Sequence, residues 1–213
     1  MGEAAGKEGL LLLGGEGPQR RHLQAFLSRA PYVIAADSGF DLALRLGLVP
    51  DLVVGDMDSV ARSRRLARLP RERVRRFPRD KDQTDAELGL RLLREMGCAR
   101  VVLAGGGGGR LDHLLAILGL FEGQAAPEAW ITAREEVRRV EGELVLSGCR
   151  GLCISFFPLG ERAAEMSSAG LKWPLDGLEW SRGQGGVSNL ITEDRVLVRI
   201  GRGRLLMVLE LRR

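Results

Sequence analysis

The sequence predicts an α/β protein in two parts: a parallel sheet covered on both faces over residues 1–124, then a β-sandwich over residues 125–213. Three observations carry this. Through the first part, short apolar runs alternate with stretches of helical spacing, which implies parallel pairing through right-handed crossovers. Those runs show little polar alternation, as expected of strands buried on both faces. Beyond Gln124-Ala125-Ala126-Pro127 no long helical pattern recurs, and short strand-like runs follow one another.

Leu10 to Leu13 reads as a buried strand ended by Gly14-Gly15. Gln19 to Ala30 has helical spacing, with Leu23, Phe26 and Leu27 on one face. Tyr32 to Ala36 is a second strand, and Phe40 to Leu46 a short helix that Gly47 is placed to end. Leu52 to Val54 is a third strand, after which Ser59 is expected to cap a helix. Val74 to Phe77 is a short strand. Thr84-Asp85-Ala86-Glu87 has the spacing of a capping box, with Leu88, Leu92, Leu93 and Met96 as the apolar face behind it and Gly97 as the stop. Val101 to Ala104 is a strand, followed by five glycines and a helix from Asp112 to Phe121. In the second part, Trp130 to Ala133, Val137 to Val140, Glu143 to Leu146, Leu152 to Phe157 and Val196 to Ile200 read as strands. Gly201-Arg202-Gly203 reads as a hairpin turn into Leu205 to Leu211.

Composition narrows the function. Of 213 residues, 45% are hydrophobic and only 5% aromatic, so aliphatic packing carries the core. A net charge of +4 suits an anionic ligand. The arginine-rich stretch from Arg62 to Arg76 has no interleaved aromatic and reads as a solvated face, so no nucleic-acid partner is expected. Cys98, Cys149 and Cys153 form no CxxC pair and read as free thiols of a reducing compartment. No apolar run approaches the roughly 18 residues of a membrane span. The polar, acidic start lacks the features of a signal peptide or a myristoylation site, so the expected location is cytoplasmic, with no membrane partner.

The chemistry concentrates at strand ends. Asp56 and Asp58 stand one residue apart after an apolar run, and Asp80, Asp82 and Asp85 crowd a second loop. Carboxylates that close repel unless a cation neutralises them or one keeps its proton. Mg²⁺, which takes one or two carboxylates together with phosphate oxygens, fits best and points to phosphoryl chemistry. Gly105 to Gly109 followed by Arg110 is either a flexible loop or an anion cradle, and Arg110 offers a donor fork suited to phosphate. Asp112 reads as an N-cap or a site residue, and His113 follows it. In the second part, Trp173 is either sandwich core or a platform for a flat cationic ring, while Ser188 and Asn189 either bond ring nitrogens or form a turn.

In order and spacing these pieces resemble the thiamine pyrophosphokinase (thiamine diphosphokinase) family. The match runs through Ala36-Asp37-Ser38-Gly39, Pro50-Asp51 to Gly55-Asp56-Met57-Asp58-Ser59, and Asp80-Lys81-Asp82-Gln83-Thr84-Asp85. It continues through Gly109-Arg110-Leu111-Asp112-His113, Gly170-Leu171-Lys172-Trp173-Pro174-Leu175 and Val187-Ser188-Asn189. The resemblance implies a Rossmann-like, nucleotide- and Mg²⁺-binding catalytic domain followed by a thiamine-binding β-sandwich. It implies a homodimer with active sites between subunits, and transfer of diphosphate from ATP to the thiamine hydroxyl with release of AMP. By the same resemblance Asp56, Asp58 and Asp85 are catalytic and hold Mg²⁺, with Asp85 either a base or a metal ligand. Asp37, Gly39, Asp82, Thr84, Gly109, Arg110, Asp112 and His113 face the nucleotide. Trp173 stacks on the thiamine pyrimidine, with Ser188 and Asn189 beside it. Where the family usually continues Thr-Leu-Ala-Asn, this chain has Leu114-Leu115-Ala116-Ile117, and Ile117 offers no amide. Two alternatives are a pyrophosphokinase for another heteroaromatic alcohol, such as a hydroxymethylpterin, and a non-catalytic thiamine or nucleotide sensor.

Overall fold

The structure, a computed structural model, describes residues 7–78 and 82–212, the side chain of Ser63 excepted. Arg79, Asp80 and Lys81 lie outside the described residues, and with them the reading placed on Asp80. The chain divides into two compact units, Met1–Leu120 with Pro127–Ala133, and Phe121–Ala126 with Arg134–Arg213.

In the first unit the described strands are β1 (Lys7–Leu12), β2 (Tyr32–Ala36), β3 (Leu52–Gly55), β4 (Val74–Arg76), β5 (Cys98–Ala104) and β6 (Ala129–Ile131). All pair parallel, in the order β6-β5-β1-β2-β3-β4. Leu10, Leu11 and Leu12 of β1 are fully buried, so both faces of the central strand are covered. The helices are α1 (Arg20–Leu27), α2 (Gly39–Arg45), α3 (Ser63–Leu66), α4 (Asp85–Glu95) and α5 (Leu111–Gly119). Helix α4 packs on β1, β2, β3 and β5, and α2 on β1 and β2. The residues at 129–131, grouped with the sandwich in the sequence reading, extend the parallel sheet beside β5.

The chain lays β2, β3 and β4 to one side of β1 and β5 and β6 to the other, so strand order reverses between β1 and β5. In open α/β sheets that reversal leaves a crevice at the carboxyl ends of the strands.

The second unit holds β7 (Glu135–Val140), β8 (Glu143–Ser147), β9 (Cys153–Ala169), β10 (Trp180–Ser181), β11 (Gly186–Leu190) and β12 (Arg195–Glu210), with every described pairing antiparallel. β12 pairs β9 along its length, β8 along its first half and β7 along its second. One correction follows: Gly201-Arg202-Gly203 is no hairpin turn, because β12 runs straight through it. Gly203 has φ +85°, and its pairing with β9 jumps from Ala163 to Pro158 by the next paired residue, Leu205. This is a bulge, which bends a strand without ending it. The core registers the bend: Val196, Val198 and Ile200 point inward before it, and Leu205, Met207 and Leu209 after it. The inward positions change from even to odd across the bulge, so both halves of one strand face the same core.

Three smaller expectations also change. Helix α3 begins at Ser63, and the Ser59 hydroxyl, expected to cap it, instead accepts from the Ser38 N–H at 3.2 Å. The N–H groups of Ala61 and Arg62 go to the buried carboxylate of Asp41, at 2.9 and 3.2 Å. Helix α5 is capped at Arg110, which places Asp112 in its first turn and not at the cap.

Candidate active site

A cavity of about 600 Å³ opens in the first unit where strand order reverses. Its walls come from the segments that follow strands: Leu13 to Gly15 after β1, Ala36 to Ser38 after β2, Asp56 and Ser59 after β3, and Gly106 to Asp112 after β5. The start of α4 and the inner side of α5 complete it.

The acidic side begins with Asp37. Its backbone is left-handed, at φ +46°, and its carboxylate lies over the end of β3, accepting from the Met57 N–H at 2.9 Å. Gly55 makes room: at φ +133°, a Cβ there would fall 2.0 Å from Asp37 Oδ1. Asp37 is 9% exposed, and burial, a side-chain hydrogen bond with Asp85 and the charges of Asp85 and Asp56 together push its pKa from 3.8 up to about 7, against the lowering effect of the Met57 N–H. Asp37 therefore keeps a proton near neutrality and can donate it in a hydrogen bond to Asp85. Asp85 occupies the first turn of α4, where the helix dipole favours a negative charge. Thr84 caps that turn in the expected capping box: its hydroxyl accepts from Glu87 N–H at 3.2 Å, and Glu87 accepts from Thr84 N–H at 2.6 Å.

The opposite wall is basic and glycine-rich. The run Gly105–Gly107 is tied down: Gly105 N–H donates to Ile131, Gly106 N–H to Gly14 and Gly107 N–H to Glu16, at 3.0, 2.7 and 3.1 Å. The buried Trp130 indole N–H donates to the Gly105 carbonyl at 2.6 Å. These three amides are thus committed to the fold, which makes this stretch a fixed wall and not a loose cradle. Arg110 is highly exposed and pairs with Asp112, whose carboxyl it holds below the usual range; Asp112 also accepts from His113 N–H at 3.0 Å. Ile117, 4% exposed, gives this wall an apolar surface.

Of the residues singled out in the first unit, Asp37, Asp56, Thr84, Asp85, Gly109, Arg110, Asp112 and His113 line the one cavity. Asp58 and Asp82 are exposed and do not; Asp58 donates its N–H to Asp56 Oδ1 at 2.9 Å. Gly39 is not on the lining; it starts α2, where a Cβ would stand 2.0 Å from the Leu12 carbonyl oxygen. Among the described residues no three carboxylate, imidazole or thiol groups stand ready as a metal cage. A Mg²⁺ ion that takes much of its shell from phosphate and water does not need one. The donor set fits such an ion: Asp56 and Asp85 both line the cavity, and their charges add to burial in keeping a proton on Asp37. Sequence reasoning assigned no role to Gly14, Gly15, Ser38 or Gln83, all on the lining. The signal available for them was position, since three of them directly follow β1 and β2 at the sheet's carboxyl edge.

In the second unit, Trp173 is 53% exposed and so is not sandwich core, and the Lys172 ammonium lies 4.6 Å from its ring centroid. Asn189 is buried, and its side chain binds the backbone of Trp173. Ser188 is exposed, has φ +58° and donates its N–H to Ser155 Oγ at 3.0 Å.

Comparison with known proteins places this geometry. The family model described as "Thiamin pyrophosphokinase, catalytic domain" matches residues 23–129, and "Thiamin pyrophosphokinase, vitamin B1 binding domain" matches residues 144–205. The thiamine pyrophosphokinase of Bacillus subtilis is 26% identical over 182 residues, 82% of this chain and 85% of that protein. A crystal structure of the B. subtilis thiamine pyrophosphokinase superposes with a TM-score of 0.80 at 25% identity, covering 97% of this chain and all of the other. The yeast thiamin pyrophosphokinase shares the fold at 14% identity, with a TM-score of 0.71 over 98% of this chain and 87% of its own.

Proposed function

Since the chain belongs to the thiamin pyrophosphokinase family, we propose that it transfers diphosphate from ATP to the hydroxyl of thiamine, giving thiamine diphosphate and AMP. The observation that carries the reading is the convergence of Asp37, Asp56 and Asp85 opposite Arg110 and His113 around one cavity at the sheet's switch point.

The residues divide the work by charge. Arg110, held by Asp112 at the mouth of the cavity, turns to the phosphates when ATP enters, with Gly109 and His113 beside it. Asp56, Asp58 and Asp85 would hold Mg²⁺, which when bound neutralises phosphate charge. Protonated Asp37 donates a hydrogen bond to the Asp85 carboxylate and fixes its orientation. The thiamine hydroxyl attacks the β-phosphorus in line, a bond forms from that oxygen to phosphorus, and the bond to the α–β bridging oxygen breaks to release AMP. Asp85 would orient the hydroxyl and take its proton, or serve as a metal ligand alone. Most of the acceleration comes from positioning and charge neutralisation.

The first unit serves nucleotide and metal, and the second serves thiamine, through the exposed ring of Trp173 with Ser188 beside it. A homodimer is the proposed assembly, with the active sites between subunits. The cytoplasm is the proposed location; no helix among the described residues is long and apolar enough to cross a membrane.

The test is AMP release from Mg-ATP over a panel of alcohols that includes thiamine and a hydroxymethylpterin. AMP is expected with thiamine, and Asp56→Asn and Asp85→Asn should each lower kcat by about 10²–10³-fold. Near-normal turnover in both folded variants, or AMP with the pterin alone, refutes the assignment.

A further inference from the structure

We propose that Asn189 is a positioning residue, which acts on thiamine by fixing the backbone of Trp173 and not by touching the ring. This rests on the reading above that Trp173 is the stacking platform. Asn189 is only 6% exposed. Its Oδ1 accepts from the Trp173 N–H at 3.1 Å and from the Leu190 N–H at 2.9 Å, and its Nδ2 donates to the Trp173 carbonyl at 2.6 Å. One amide thus holds both backbone polar groups of a single residue. Both acceptor positions of that amide and one of its two N–H groups are taken, which leaves little to offer a ligand.

The clamp is anchored on either side. Lys172 N–H donates to the Leu190 carbonyl at 2.9 Å, and Thr192 N–H to the Gly170 carbonyl at 2.9 Å. Leu171 bridges Ile191, and both side chains are buried in the sandwich core. The polypeptide under Trp173 is therefore rigid, while its ring projects to solvent. A ring on a free loop loses backbone freedom when it stacks on a ligand, and a ring whose backbone is already fixed loses much less. The spacing Trp173 to Asn189 is what brings this amide onto that loop, through the pairing of residues 170–172 with 190–192.

Steady-state kinetics on the full chain test this. Asn189→Ala should raise KM for thiamine about tenfold or more and leave KM for ATP within about twofold. In a Trp173→Ala background the same change should add less than about twofold, because its effect passes through the ring. Asn189→Asp keeps the two acceptor contacts but turns an acceptor oxygen toward the Trp173 carbonyl in place of the donor; a rise of about threefold or more is expected. A folded Asn189 variant with unchanged thiamine KM, or additive losses in the double variant, overturns the proposal. Should neither variant fold, hydrogen exchange in the wild type decides: a Trp173 amide that exchanges as fast as an open loop shows that no clamp exists. Wild-type protein that forms no AMP with thiamine defeats the functional reading instead, and the two failures are thereby distinguished.

Discussion

Asp37 keeps its proton to about pH 7 in the folded chain, against an ordinary value of 3.8. Between those two values the native state binds a proton that the unfolded state has lost. Stability then falls as pH rises through this window: the contribution is whole below about pH 4 and gone above about pH 7. In metal-free protein, raising the pH from 5 to 8 should lower Tm more in the wild type than in Asp37→Asn, whose amide still donates to Asp85 and accepts from Met57. Circular-dichroism melts in chelator measure both slopes, and parallel slopes would falsify the raised affinity of Asp37 for its proton. At this scale the sequence was partly legible. Asp37 was recognisable only by its motif, since no local pattern announces that a residue at φ +46° will fold its carboxyl over the neighbouring strand's last glycine. Asn189 was expected beside thiamine, yet its amide binds the Trp173 backbone, and hydrogen bonds across sixteen residues leave no trace in composition.

Elements with a short-range code were the easiest to read. The capping box at Thr84 depends on two residues three apart, and it forms as the spacing demands. It also sets where Asp85 stands, since the cap fixes the first turn of α4. Thr84→Ala should cost about 1 kcal/mol of stability, and Thr84→Ser most of that less. Urea unfolding checks this; an unchanged midpoint in Thr84→Ala would mean that the cap contributes nothing. Glycine was the least readable residue, because its permissiveness serves opposite ends. At Gly203 it allows a bulge in one continuous strand, where a pair of glycines flanking an arginine reads as a turn. At Gly105–Gly107 it allows close backbone packing against Gly14 and Glu16, where a run of five reads as slack. In each case the deciding partner, Ala163 or Gly14, is distant in sequence. Ser59 was misread for the same reason: it faces the Ser38 amide across the cavity wall and not the helix that follows it.

At the scale of the whole molecule, the alternation of apolar runs and helices was enough to predict a parallel sheet and a ligand crevice at its carboxyl edge, because topology follows from few rules. Which surfaces meet a second chain is not written in that alternation, since an apolar side chain on a helix reads the same whether its cover is internal or external. Helix α5 is mostly apolar, yet among its residues only Ile117 is buried, and Leu111 and Leu115, one turn apart, are 69% and 59% exposed. Leu111 and Leu115 on one helix form an apolar pair of the kind a partner can cover. In the proposed homodimer that partner is a second copy, and α5 carries cavity residues on its other side, so the same helix couples assembly to the site. Light scattering on the eluting protein should give twice the 23.3 kDa of one chain. Leu111→Arg with Leu115→Arg should shift it to one chain at the same concentration, lower thiamine-dependent AMP release about tenfold or more, and leave the wild-type far-UV spectrum intact. A double variant that remains dimeric would remove α5 from the interface, and a wild-type protein that elutes as a single chain would remove the dimer itself.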